Sequence, residues 1–597
     1  MSTLGLDRSG NGNDWIAVNL TVGDQVLDSP TNNFATWNKL DTASDLVTLS
    51  EGNLSAVENS TNWAQTFANI KPTTGKWYLE CLQPANTFFG IVSQTTWGTN
   101  NTGDNKYIGK YNNDFGFRFN DYGSGSGNNE GYSTGSSFTS LGTAQPASGD
   151  ILQMALDFDN NKIWWGKNNT WYNSGNPATG ANGISISATE HYHIGISTQS
   201  STASVVNFGQ DSSFAGNKTA QGNQDSNDIG DFYYTPPTGF LALCTKNLPD
   251  VAVVPSEHFN TVLYTGTGGT YPSTTQSVTG VGFQPDWTWI KIRSQAYQHF
   301  IYDAVRGATK VIYSDSTAAE ATGNQMTSFN SDGFTVANIS TGVATNASGE
   351  SFVAWNWKAN GSGSSNTNGS VTSTVSANVD AGFSIVSYTG TGSNATVGHG
   401  LSKAPEMMIV KDRDQDMHWF VYHTGLTNAD YSVKMDNTQV QANDSTKWNG
   451  TDPTSSVFSI GTEVGVSESG NKYIAYCFHS VEGYSKVGDY VGNDNANGTF
   501  VYCGFQPAYV HINNPNTDGE GFVYMNNKSD PTNVTGTYLT TYGTTQEQGT
   551  AGTTFSRSID FVSNGFKLRG NSTEINDGEV IIFYAVAETP LKYANAR

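Results

Sequence analysis

"GFQPDWTWI" at residues 282–290 and "GFQPAYVHI" at residues 504–512 are two versions of one phrase more than two hundred residues apart. A weaker third version is "LSKAPEMMIV" at 401–410. In each, a proline opens a strand-like run: Trp287, Trp289 and Ile290 after Pro285, Met407, Ile409 and Val410 after Pro405, and Tyr509, His511 and Ile512 after Pro507. Proline lacks an N–H and is tolerated at the first residue of a strand, where it also holds the preceding residue extended. A second aromatic strand follows as Phe300-Ile301-Tyr302, Phe420-Val421-Tyr422 and Phe522-Val523-Tyr524, each tyrosine 17 residues beyond its proline. Constant spacing of this kind predicts one hairpin architecture used three times.

The match extends outward from these strands. "YTGTG" at Tyr264 and Tyr388 is echoed by "YVGND" at Tyr490, and Phe334, Phe458 and Phe566 recur downstream. Each copy closes on a strand carrying Ala354, Ala475 or Ala585 among aromatics. The reading is three tandem β-sandwich-like modules, at 258–358, 381–480 and 486–595. Residues 359–380, rich in Gly, Ser, Asn and Thr, are expected to be a flexible linker. The second and third modules have almost no spacer and are expected to pack as a rigid pair.

The chain of 597 residues, with 65 glycines between short aromatic and β-branched runs, reads as multidomain and all-β. The best helical candidate, "STAAEATGNQM" at 316–326, lacks an apolar face. A net charge of −23 repels phosphate backbones, so nucleic acid is not an expected partner. The longest apolar run, "VIIFYAVA" at 580–587, is too short for a membrane-spanning helix, and the first residues lack the basic and apolar regions of a signal peptide. Cys81, Cys244, Cys477 and Cys503 have no zinc-type spacing and are expected to be small buried hydrophobes. No cofactor is expected.

Before the modules, "TGKWYLECL" (74–82), "FFGIVS" (88–93), "GDILQMALDFDNNKIWWGKNNTWYNSG" (149–175), "HYHIGIS" (191–197) and "SVVNFGQ" (204–210) read as strands. The order of "GKWYLE" from Gly75, the Gly149–Asp157 segment, Asn207-Phe208-Gly209 and Pro237 through Phe240 resembles a SPRY domain, a bent sandwich of concanavalin-like architecture, over 31–245. The expected fold is therefore all-β, a SPRY-like β-sandwich followed by the three modules, with residues 1–30 a leader that could anchor to another protein.

Taken with the leader "GLDRSGNGNDW", "DSPTNNFATWN" (28–38) and "PPTGFLALCTKNLP" (236–249), the chain resembles SPRY-containing tail-fibre or virion structural proteins of marine tailed bacteriophages. That resemblance implies a virion protein made in the bacterial cytoplasm, with other virion proteins and a host-surface glycan or protein as partners. It also implies a homo-oligomer, with a trimer as the expectation. A purely structural capsid decoration or tail connector is the alternative, and a glycan-degrading spike a lesser one.

Enzymatic motifs are not evident: no HExxH, GxSxG or Walker-type loop occurs, and Asp157 with Asp159 sits in a turn context. A non-enzymatic role is the expectation. "KDRDQDMHW" at 411–419 places Asp412, Asp414 and Asp416 at alternating positions, which could ligate calcium, although Met417 stands where a calcium loop has glycine and His423 where it has glutamate. For binding, Trp171 and Tyr172 in "KNNTWYNSG" and Trp97 in "SQTTWGTNN" are loop aromatics among Asn, Thr and Gly, suited to stacking on a sugar face, whereas Trp77 is assigned to the core.

Overall fold

The alternation in "KWYLECL" becomes the strand Lys76–Leu82, buried nearly along its whole length because both of its faces are covered. The computed structural model describes residues 12, 26–29, 31–41, 47–58, 62–82, 87–100, 106–118, 130–142, 149–199, 201–339 and 345–593. They divide into two compact units, Met1–Pro249 and Asp250–Arg597.

The first unit is a SPRY-like sandwich of a nine-stranded and a six-stranded sheet. Lys76–Leu82 pairs antiparallel with Ile151–Asp157, which pairs with Lys162–Lys167. Tyr192–Thr198 and Thr87–Ser93 pair in the opposite sheet. Trp165 ties the layers together: its indole N–H donates to the Phe89 carbonyl across the core at 3.2 Å, and its ring lies 5.7 Å from Phe117 and 5.8 Å from Tyr132. Both late motifs form turns: the Asn207 side-chain oxygen accepts from the backbone N–H of Gly209 and Asp211, and Phe240 N–H donates to Pro237.

The second unit repeats one topology three times. The principal sheets order their strands as Phe259–Thr265, Ser351–Trp357, Trp287–Ile292, His299–Asp303; as Phe383–Thr389, Lys472–Phe478, Met407–Asp412, Phe420–His423; and as Ser485–Val491, Val580–Pro590, Phe505–Asn513, Val523–Asn526. A small second sheet covers one face of each, and Phe334, Phe458 and Phe566 are fully buried there. The opposite faces of all three principal sheets meet in one shared core. Trp287, Trp289, Trp355 and Trp357 come from module 1, Phe383, Tyr476 and Phe478 from module 2, and Tyr509, Tyr524 and Tyr584 from module 3. Trp287 lies 4.6 Å from Tyr476, Trp355 4.5 Å from Tyr524, and Phe478 4.9 Å from Tyr584. The expected pairing of modules 2 and 3 thus extends to all three.

The modules are also interlocked head to tail. In module 1, Lys291 Nζ donates to the Thr544 carbonyl (3.1 Å), Arg293 Nη2 to Glu547 (2.7 Å), and Glu547 N–H to the Arg293 carbonyl (3.0 Å), all reaching module 3. Module 2 holds module 1 with the same set: Lys411 Nζ to the Thr317 carbonyl (3.1 Å), Arg413 Nε to Glu320 (2.8 Å), and Glu320 N–H to the Arg413 carbonyl (2.8 Å). Module 3 closes the ring on module 2 through Gln441 N–H to the Pro515 carbonyl (2.7 Å) and Gly519 N–H to the Thr438 carbonyl (3.1 Å). A head-to-tail contact that closes after three copies is cyclic symmetry, realised here within one chain.

Two expectations are corrected. Residues 359–380 are not a flexible linker: Ser364–Asn366 and Ser373–Asn378 form a hairpin, and the second strand pairs with Phe383–Thr389. Small polar composition concealed the alternation of Val375 and Ala377, which pack on the module 2 core. The segment 316–326, set aside as a helix for want of an apolar face, is indeed not helical and is clasped by Lys411 and Arg413. Finally, the 17-residue spacing is not structurally equivalent in the third copy. Trp289 faces Ile301 and Ile409 faces Val421, each 16 residues past the proline, but His511 faces Tyr524, 17 past it. One extra hairpin residue turns Tyr524 into the shared core, while Tyr302 and Tyr422 face the cores of their own modules.

Candidate functional site

The first unit concentrates unusual backbone at one loop. Following Lys162–Lys167, positive φ angles occur at Asn168 (48°), Asn169 (67°), Asn173 (54°), Ser174 (51°) and Asn182 (53°). Asparagine tolerates this region better than most residues, which explains the Asn-rich sequence. Such conformations persist only where surrounding contacts over-determine them. Here the Asn168 side chain accepts from Ile151 N–H at 2.9 Å, and Asn182 donates to the Ser174 carbonyl at 3.1 Å. The Trp164 indole donates to the Ala181 carbonyl at 2.8 Å. Gly183 is required by this packing, because a Cβ there would lie 2.4 Å from the Trp164 ring.

A buried relay fixes the same loop from beneath. The Glu80 carboxylate accepts from Tyr233 N–H (2.8 Å), Tyr234 N–H (2.7 Å), the Tyr78 hydroxyl (2.9 Å) and the Asn207 amide (3.2 Å). Gln153 donates to the Tyr78 oxygen at 2.9 Å, and its own carbonyl accepts Asn169 N–H at 2.6 Å. Burial pushes the Glu80 carboxyl up to about 7, even though all four donors favour its ionised form. The sequence shows Glu80 only as one letter of a strand motif; no local signal marks the hydrogen bonds it makes to residues some 150 positions away.

On this support sit the sequence-predicted aromatics. Trp171, in the short strand Thr170–Trp171, and Tyr172 are half-buried, with Trp171 edge-on to Tyr78 at 6.4 Å and Tyr172 at 4.9 Å from Phe117. Asn168, Asn169, Thr170, Asn173, Ser174, Asn176 and Asn182 around them are exposed. The arrangement offers partly open aromatic rings rimmed by uncharged donors and acceptors, held on a locked backbone.

Trp97 does not belong to this surface. It lies in the helix Gln94–Asn100, is 3% exposed, stacks on His193 at 4.8 Å and carries the Lys71 ammonium 4.9 Å from its ring. The exposure expected from its Thr/Asn/Gly neighbours is lost because the helix turns it inward. Trp77 is in the core, as assigned.

The aspartates do not form a calcium loop. Asp412 is fully buried; one oxygen accepts from Asp414 N–H (2.7 Å) and Gln415 N–H (3.0 Å), the other from the Asn471 amide (2.9 Å). Asp414 accepts from Lys472 N–H at 2.8 Å, and Asp416 from Ala319 N–H at 3.0 Å. Each carboxylate is directed at a different backbone group, and among the described residues no cluster of three metal-ligating side chains occurs. The four cysteines are free and buried, with burial pushing the thiols of Cys477 and Cys503 up to about 12.

A family model described as "Domain of unknown function (DUF7483)" matches residues 254–590, the span of the three modules. Among solved structures, the SPRY domain of human HERC1 is similar at 12% identity, covering 28% of this chain and 96% of that one, with a TM-score of 0.21. The TRIM65 PSpry domain follows at 11% identity, 29% and 90% coverage and a TM-score of 0.22, and a human SPRY domain at 11%, 27% and 94%, and 0.20. No curated protein matches the chain.

Proposed function

Because the chain belongs to the family described as a domain of unknown function, DUF7483, which carries no activity with it, we propose from its own residues that the protein is a non-enzymatic display component of a phage virion, a tail fibre that contacts the host surface. The observation that carries the reading is the half-buried Trp171–Tyr172 pair rimmed by exposed amides and hydroxyls. Uncharged polar groups beside an aromatic face suit a neutral glycan, whose ring hydroxyls hydrogen-bond while its C–H face stacks. The virion setting is supported by the sequence resemblance, through "DSPTNNFATWN", "PPTGFLALCTKNLP" and the "YTGTG" modules. Other virion proteins are then the partners of the rest of the chain. Many copies on one particle make weak single sites sufficient, through multivalency.

A second reading, a structural connector or capsid decoration, is favoured by the closed interlock of the three modules, which suits a rigid spacer. One pair of measurements separates the two. Trp171→Ala should weaken binding of the purified chain to host cells by about tenfold or more, an effect of the order of one lost aromatic contact, while particles still assemble. Unchanged adsorption would refute the loop as the receptor site, and failed assembly would favour the connector.

A further inference from the structure

The nine-stranded sheet of the first unit turns one row of positions outward. On successive strands Glu80 faces Gln153, Gln153 faces Gly166 and Gly166 faces Trp171, and directly opposed residues share a face. It is the face away from the other sheet, because Trp165, one residue before Gly166, points into the core between the layers. Gly166 lets the Trp171 ring lie back across the row: a Cβ there would stand 3.1 Å from that ring, which comes within 6.4 Å of Tyr78.

At the other end of the row stands a second half-buried ring, Tyr234. Its backbone N–H donates at 2.7 Å to Glu80 Oε1, the oxygen that also takes the Tyr78 hydroxyl. Glu80 Oε2 turns the other way, to the Asn207 amide and Tyr233 N–H. Tyr234 thus lies on the Trp171 side of Glu80. Burial first, then Tyr233, Glu80 and Asp150, push its phenol up, and Asp150 accepts from the Asn168 amide at 2.7 Å at the foot of the Trp171 loop. From Glu80 to Gly166 is two strand spacings, about 10 Å.

Both rings keep an unspent polar handle. Trp77, Trp164 and Trp165 of the same sheet each donate the indole N–H to a carbonyl. Trp171 Nε1 and the Tyr234 hydroxyl have no hydrogen-bond partner among the described residues. The Asn168 and Asn169 side chains beside them are exposed, and the charge of Asp150 is offset by Lys167 at 3.9 Å. A ring with one apolar face and one free donor suits a ligand that stacks and hydrogen-bonds together.

We propose, resting on the reading of the Trp171 loop as a glycan contact, that the site continues across this outer face to Tyr234, and that its ligand is an extended neutral oligosaccharide with one sugar on each ring, in place of a single terminal sugar. Contacts two strands apart exceed the reach of one pyranose. Glu80 fixes their separation, because it holds Tyr234 N–H directly and Asn169 N–H through Tyr78 and Gln153.

The test is calorimetric titration of the full chain with neutral oligosaccharides released from bacterial cells to which it adsorbs and separated by length. Affinity should rise about tenfold or more from single-ring to longer fragments, the worth of one further aromatic contact. Tyr234→Ala keeps the backbone bond to Glu80; it should abolish that gain and leave single-ring fragments binding as before. Tyr234→Trp keeps a flat ring and should retain the gain, whereas Trp171→Ala should weaken fragments of every length. Affinity that does not grow with length, or a gain that survives Tyr234→Ala, would overturn the extension and leave the Trp171 contact standing. Binding of every fragment unchanged by Trp171→Ala, or no binding of any neutral fragment, would overturn the glycan reading itself and the extension with it.

Discussion

The interface that module 2 makes on module 1 and the one that module 3 makes on module 2 occupy equivalent positions in the ring, yet they are built from different chemistry. The first joins Arg413 to Glu320, to which Arg306 also donates at 3.3 Å; Arg306 in turn holds Asp303 at 2.5 Å, and Tyr476 donates to Asp303 at 2.8 Å. In the second, Asn513 stands where the others have Lys291 or Lys411, Pro515 where they have Arg293 or Arg413, and Gln441 where they have Glu547 or Glu320. What all three share is one backbone hydrogen bond, to the carbonyl of Arg293, Arg413 or Pro515. The ring is therefore specified by main-chain geometry and aromatic packing, and the ion pairs are additions at two of its three joints.

Acid should break module 3 away first. His511 sits among Trp289, Tyr509, Phe522 and Tyr524. His423 hydrogen-bonds the Phe583 carbonyl across modules, and His299 Nδ1 accepts from Trp289 at 3.0 Å and from Tyr524 at 2.9 Å. The charged or titratable neighbours are Lys291, Tyr524 and Asp315, which accepts the His299 backbone N–H at 3.0 Å, for His299, and His423, Tyr509 and Tyr524 for His511. Burial holds His511 at about 3, His423 at about 4 and His299 well below the usual imidazole range. The unfolded chain thus takes up these protons first. Stability is complete above about pH 6.5 and is lost as pH falls through the folded values, on the order of several kcal/mol in total. Exchange at 505–513 and 580–590 should accelerate before that at 407–412. His511→Leu should blunt the effect, since its Nε2 has no hydrogen-bond partner to lose.

Next in size is the buried network. Arg306→Met leaves Asp303 buried without its cation, which should cost about 3–5 kcal/mol in denaturant unfolding and loosen module 2 from module 1 in preference to module 3. Equal loosening of both joints would show that the charged network has no local role. Lys291→Met should be milder, about 1–3 kcal/mol, because it strands the Tyr297 and Thr544 carbonyls and takes a nearby positive charge from Asp315 but breaks no ion pair in direct contact.

Much of this was legible in the sequence, and the remainder was hidden for identifiable reasons. Prolines and aromatics marked the modules because a two-layer sheet imposes period two on large side chains. The Thr-x-x-Glu/Gln segments at Thr317, Thr438 and Thr544 were not recognised, since two conserved positions in a polar loop are indistinguishable from turn composition until the clasping strands are in place. The third copy misled for a different reason: Phe522-Val523-Tyr524 reproduces the letters of Phe420-Val421-Tyr422 but is displaced by one residue, so the same aromatic serves opposite faces. At the candidate site, asparagine richness pointed to the Trp171 loop, but the relay from Glu80 joins residues too far apart in sequence to form a pattern. Trp97 shows the converse limit, because polar neighbours describe a loop and not the direction a side chain takes.

The smallest effect should come from the joint without ion pairs, and it sharpens the comparison most. Gln441 Nε2 donates to Asn516 across the joint at 2.7 Å and its Oε1 accepts from the N–H and hydroxyl of Thr427 within module 2 at 3.2 and 3.1 Å, all at the exposed rim, so Gln441→Ala removes only solvated side-chain bonds, one of them across the joint, and leaves Gln441 N–H on the Pro515 carbonyl intact. A loss of about 0.5–1 kcal/mol is expected, compared with a larger loss for Glu320→Ala at the equivalent position of module 1, where two arginines would lose their shared carboxylate. If the two substitutions cost the same in parallel urea titrations, the arginine clamps contribute nothing beyond the backbone bond, and the joints differ in composition without differing in strength.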